Sequence, residues 1–147
     1  VADSYTERVL QAVVAALDGA GKPAGVTVNR SRRQSVEKSQ LPMISVYPIR
    51  EEVTRATDQR RSPLVERRLR VEVKCRVVGD DQDNDALRKW AVQSLMTDQS
   101  LGGLALEIVE ESTDWDADDA TDADYSVAAV DFVVRYSTSR FNLENKS

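Results

Sequence analysis

The chain has 147 residues, a formal charge of −5, one cysteine and no histidine. One domain of this length buries about two-thirds of its unfolded surface, enough to fold without metal or disulfide. The lack of histidine removes Ser-His and Cys-His nucleophile pairs and the commonest transition-metal ligand, and a single cysteine makes no ordinary zinc site. No cofactor is expected and an enzyme is the weakest class, because the carboxylates fall in polar loops with no apolar surroundings to raise a pKa. No apolar run reaches the roughly 18 residues that cross a bilayer, and no signal peptide is expected. The expectation is a soluble protein of a reducing compartment, with no membrane partner. Charge is unevenly placed: residues 1–79 carry 15 basic against 9 acidic side chains, a net of +6, while residues 80–147 carry 5 against 16, a net of −11. Most of these are solvated surface charges, but a two-signed chain suits a head-to-tail contact between copies, which closes into a ring when the rotation allows.

The first element is a helix. Ser4 and Glu7 have capping-box spacing, and Val9, Leu10, Val13, Val14 and Leu17 recur on one face until Gly19, Gly21 and Pro23 end it. Gly25 to Asn29 reads as a short strand with Val26 and Val28 on one side. Arg30 to Gln40 is basic, but without an interleaved aromatic it is a solvated loop rather than a nucleic-acid site. Leu41 to Ile49 is a second strand, with Ile44 and Val46 on one face and Met43 and Tyr47 on the other. Pro42 and Pro48 argue that it is an edge strand or that they mark its ends.

Arg50 to Pro63 has almost no apolar content and reads as the charged tip of a long hairpin, a contact arm ordered by a partner. The stretch that follows, LVERRLRVEVKCRVVG, is the plainest strand of the chain. Leu69, Val71, Val73, Cys75 and Val77 alternate with Arg68, Arg70, Glu72, Lys74 and Arg76, one face for the core and one for water. Cys75 is expected as a small buried hydrophobe.

A second helix is expected after Gly79, N-capped by Asp83 or Asn84, burying Leu87, Trp90, Ala91 and Leu95 and ending near Thr97. Gly102 and Gly103 permit a reversal into a strand over Leu104 to Glu110; a glycine pair before a strand is no phosphate loop. Asp114 to Asp124 holds six aspartates in eleven residues. A calcium-loop template fails there, because Asp119 stands where a glycine is needed and Tyr125 where a glutamate is needed. The final strand, Tyr125 to about Thr138, is apolar on both faces apart from Asp131 and Arg135, so it belongs near the sheet centre with its second face partly covered. Phe141 and Leu143 in the polar tail are candidates for docking on a partner.

The order predicts an α+β fold: a mixed, mainly antiparallel sheet with two helices packed on one face and a long hairpin, residues 1–147 forming one domain. Within it, LRKWAVQSLMTDQSLGGLALEIVEESTDWD and YSVAAVDFVVRYST resemble the tail terminator proteins of long-tailed bacteriophages, the minor tail protein U group. The likeness rests on the helix leading into the D-x-S-L-G-G-L turn, Asp98 to Leu104, and on the closing run Tyr136 to Thr138. It is firmest from Ala86 to Arg140. Size, an acidic pI of about 4.8 and the charged inter-strand loop agree.

The resemblance implies a non-catalytic virion protein at the head–tail junction, made in the host cytoplasm. It would form a hexameric ring on the last ring of the tail tube, end polymerisation and present a surface to the head-completion or connector protein. Arg50, Arg55, Arg60 and Arg61 are then the candidate contact with the tail tube protein. Asp114, Asp116, Asp118, Asp119, Asp122 and Asp124 are candidates for a channel lining or a subunit interface, past which DNA travels without specific binding. The alternatives are a head–tail connector or tail completion protein of related fold and, from another class, a monomeric module whose acidic loop binds calcium or a basic ligand.

Overall fold

The computed structural model describes residues 4–19, 21–30, 41–54, 64–115 and 125–139. These form two helices, α1 (Tyr5–Leu17) and α2 (Asp81–Thr97), and five strands. The strands are β1 (Thr27–Arg30), β2 (Met43–Thr54), β3 (Leu64–Val78), β4 (Glu107–Trp115) and β5 (Tyr125–Ser139), in the sheet order β1-β2-β3-β5-β4. Only β1 and β2 run parallel; the other three pairings are antiparallel. The fold is the expected α+β arrangement, with both helices on one face of the sheet.

Alternation builds the core. Leu69, Val71, Val73, Cys75 and Val77 of β3 meet Ala128, Val130, Phe132, Val134 and Tyr136 of β5 beneath the stripe Tyr5, Val9, Leu10, Val13 and Leu17 of α1. Leu87, Ala91 and Leu95 of α2 close the same layer, with Trp90 half-buried against it. Each fully buried Val, Leu or Phe side chain contributes about 1.5–3 kcal/mol, so this layer dominates the stability. Ser4 caps α1, accepting a hydrogen bond from the Glu7 N–H at 3.1 Å, but the expected capping box is half made, because the Glu7 carboxylate accepts instead from Arg30 at 2.8 and 3.2 Å.

Four expectations are corrected. The N-cap of α2 is Asp80, not Asp83 or Asn84: Asp80 accepts from the Asp83 N–H, and the Asp83 carboxylate accepts from the Asp80 N–H, both at 3.1 Å. Asn84 is instead fully buried, its amide donating to the Cys75 carbonyl at 3.0 Å and to the Ser126 hydroxyl at 3.3 Å. The strand after the glycine pair begins at Glu107 rather than Leu104, because Ser100 to Leu104 is held as a turn. There the Asp98 carboxylate accepts from the Ser100 hydroxyl (2.7 Å), the Gly102 N–H (2.8 Å) and the Ser100 N–H (3.1 Å), bonds that hold its pKa below the ordinary value.

Third, β2 is not an edge strand, since β1 lies on its outer side. Among the described residues β1 pairs Met43 to Val46, and Pro48 lies past that pairing, next to a register shift between Pro48 and Arg50 on the β3 side. Pro42 lies just before the strand, as an end marker. Fourth, the charged face of β3 is not simply in water. Lys74 and Arg76 are buried, Lys74 with its ammonium over the Tyr47 ring and Arg76 donating to the Ser45 hydroxyl at 3.2 Å. Met43, Val127, Ala129 and Val133 are buried on that same face, as expected for a β5 whose second side is covered.

Candidate assembly interface

Hairpin pairing continues through Arg50–Thr54, which align with Arg70–Glu66 of β3, so these residues are strand and not loop. The arm between the strands is thereby confined to residues 55–63. Arg50 is exposed on β2, 3.8 Å from Glu52. Arg55, Arg60 and Arg61 lie outside the described residues. Of the acidic stretch, Asp114 stands exposed near the end of β4, while Asp116, Asp118, Asp119, Asp122 and Asp124 also lie outside the described residues. So do most of the basic Arg30–Gln40 segment and the tail with Phe141 and Leu143.

The flanking strands nevertheless separate the two charged segments. Glu66, opposite Thr54 at the hairpin end, aligns with Ser137 near the end of β5. Val78, at the far end of β3, aligns with Tyr125, where the chain re-enters the sheet from the acidic stretch. The arm and the acidic stretch therefore leave from opposite ends of the β3–β5 ladder, a pairing of 15 residues that spans roughly 50 Å at the usual rise per residue. Arg50 and Asp114 are not brought together.

At the root of the arm sits a polar cluster that joins four elements. The Glu51 carboxylate of β2 accepts hydrogen bonds from the Tyr136 hydroxyl of β5, from the Thr6 hydroxyl of α1 (2.8 Å) and from Arg67 of β3 (3.2 Å). Arg67 also donates to the Thr138 hydroxyl at 2.7 Å. The Tyr136 and Thr6 hydroxyls are 2.7 Å apart, and the Tyr5 and Tyr136 rings stack at 5.2 Å between centroids. Burial, then the neighbouring Glu51, pushes the Tyr136 phenol pKa well up, so the hydroxyl stays a donor. Burial likewise raises that of Tyr5, whose hydroxyl donates to the Leu104 carbonyl. The cluster contains no activated nucleophile; its chemistry is that of a clasp fixing the base of the hairpin to the first turn of α1. In the sequence, Glu51 and Arg67 are indistinguishable from the other charges of a polar hairpin, and only the strand register brings them together.

On the opposite sheet face, guanidinium groups bridge strands. Arg135 of β5 reaches Glu66 of β3 and Glu107 of β4, each at 2.6 Å. Arg70 reaches Glu111 at 2.5 Å and Asp131 at 3.8 Å. Burial, more than the adjacent Glu72, raises the Asp131 pKa.

β4 closes the sheet on one side and is acidic along its length, with Glu107, Glu110, Glu111 and Asp114. It also exposes Val109 and Trp115, with Leu106 exposed just before it. Arg88 of α2 stands over the Trp115 ring at 5.3 Å and 3.9 Å from Glu110. Among the described residues β1 stands at the other side, and its Thr27–Arg30 stretch, TVNR, holds no acid. Among the described residues no group of three or more His, Cys, Asp or Glu is arranged to hold a metal ion, and no helix is long and apolar enough to cross a membrane. No family model matches the chain, and no curated protein matches it.

Proposed function

We propose that this chain caps the end of a phage tail tube as a ring of identical subunits, ending tail polymerisation and offering its far side to the head-completion or connector protein. The reading rests first on the residues that resemble tail terminators, Asp98–Leu104 and Tyr136–Thr138. The observation that carries it further is the separation of the charged arm and the acidic stretch to opposite ends of one ladder. A subunit that must meet a tube on one side and DNA or a connector on the other needs two chemically distinct ends, and these strand ends supply them. The clasp at Glu51, Thr6, Arg67 and Tyr136 supports the same role, because an arm that transmits contact to a tube needs a fixed root. The acidic stretch, repelling the phosphate backbone, keeps DNA from adhering as it passes.

The test is tail length. Arg60→Glu combined with Arg61→Glu is expected to leave the melting temperature of the purified protein within about 2 °C, which is measured alongside. Tails assembled with it are expected to overrun their normal length by electron microscopy. Normal lengths with the double variant overturn the arm's role in capping.

A further inference from the structure

We infer that the acidic outer edge of β4 is a strand-pairing surface for a second copy of this chain, received head to tail along the neighbour's β1 edge. This deepens the ring reading by naming the contact that would build it. Among the described residues β4 and β1 are the two ends of the sheet order, and an end strand presents a row of backbone N–H and C=O groups suited to another strand.

Strand polarity fixes how the copies meet. β1 is parallel to β2, β2 antiparallel to β3, β3 antiparallel to β5, and β5 antiparallel to β4, so β4 runs antiparallel to β1. Setting one copy beside the next without turning it over therefore places β4 antiparallel to the neighbour's β1, in the better hydrogen-bonding geometry. The same orientation brings the N-terminal half of β4, with exposed Leu106 and Val109, towards the C-terminal half of β2, with exposed Ile49 and Val53.

Charge selects the partner. The two-fold alternative, β4 against β4, sets Glu107, Glu110, Glu111 and Asp114 against the same acids of the other copy, and like charges opposed across strands destabilise the pairing, even with Arg135, Arg88 and Arg70 offsetting part of the first three. β1 carries no acid and lies in the half of the chain with a net charge of +6, whereas β4 lies in the half with −11. The edge thus rejects itself and accepts the other edge, which is the requirement for a heterologous, closable contact.

Cysteine cross-linking decides it. Thr27→Cys is combined in turn with Val109→Cys, Glu110→Cys and Asp114→Cys to scan the register; Thr27, Val109, Glu110 and Asp114 are all exposed, and the buried native Cys75 contributes no background. At least one double variant is expected to give a ladder of covalent dimers, trimers and larger species under mild oxidation, while each single variant stays monomeric on a denaturing gel. Adding Glu110→Lys and Asp114→Lys to the cross-linking pair formed with Val109→Cys lowers the ladder yield about tenfold or more, with unchanged circular dichroism. Covalent dimers from Val109→Cys alone, or no ladder from any pair, overturn the inference. A ladder without any effect of the chain on tail length leaves this contact standing and removes the cap reading; capped tails without a ladder do the reverse.

Discussion

Glu51 illustrates how much one charge depends on what faces it. Its carboxylate is half-buried at the root of the hairpin and is held by two hydroxyls and a guanidinium. Tyr136→Phe deletes the hydroxyl while keeping the stacked ring, leaving Glu51 one donor short. The expected cost is about 1–3 kcal/mol in urea unfolding, the price of an incompletely satisfied buried polar group. The same phenol gives an alkaline signature. Its pKa is higher folded than unfolded, so its contribution is intact below the unfolded value of 10.0 and drains away as the pH rises beyond it. Cys75 behaves alike from lower pH, burial pushing its thiol from 9.0 up to about 12. Stability should therefore fall from about pH 9 upward, by as much as about 1.4 kcal/mol per pH unit for the thiol alone. Cys75→Ala lowers stability at neutral pH but removes the earlier part of that slope. In the wild-type protein, labelling by a thiol reagent should proceed only at the rate of opening; fast stoichiometric labelling of the native protein would contradict the burial.

The elements that could be read from the sequence are those whose side-chain period is set by one buried face. β3, β5 and α1 fall within a residue or two of their expected bounds because alternation or a helical stripe runs through their whole length. β4 was displaced because it is an end strand with Ile108 as its one fully buried apolar residue, so its acidic second half gives no alternation, while Leu104 and Leu106 before it belong to a turn and a bend. Arg50–Thr54 reads as loop for a similar reason: the strand is specified by backbone pairing and the Glu51 clasp rather than by hydrophobic residues. The cap of α2 was legible in principle, since Asp80 and Asp83 have capping-box spacing. The several competing acids hid it, and Asn84 was drawn inward by the Cys75 carbonyl. Gly79 tests this junction. It sits at φ +127°, and a Cβ there would run into the Asp83 carboxylate. Gly79→Ala should cost about 1–3 kcal/mol by backbone strain alone, with the clash added to it. Asp83→Ala in the same chain gives back the clash but not the strain, so the double variant should be less destabilised than the sum of the single changes. Strict additivity, measured by chemical unfolding, would show that the two residues do not meet.

At the scale of the molecule, packing and charge have separate tasks. Apart from the clasp at its hairpin end, the helix-side face of the sheet is filled by apolar residues and specifies the fold, whereas the other face and the two ends carry Arg70, Arg135, Asp131, Glu107 and Asp114 at partly or largely exposed positions beside a smaller set of buried apolar residues. Exposed ion pairs of this sort contribute little to folding, with a median of about 0–1 kcal/mol each, so stability should respond weakly to salt. The proposed association between copies should respond strongly, because it would draw on the opposed charge of the two halves of the chain, +6 against −11. The Debye length falls from about 10 Å at 0.1 M salt to about 3 Å at 1 M, short enough to mask attraction between subunits before their strands meet. Sedimentation velocity across that range should show assemblies giving way to monomer while the thermal unfolding midpoint, measured in the same buffers, moves by only a few degrees. Assemblies that persist or strengthen at 1 M salt would mean that apolar surface such as Leu106, Val109 and Trp115, rather than charge, drives the contact. The choice of partner edge by the acids of β4 would then have to be abandoned.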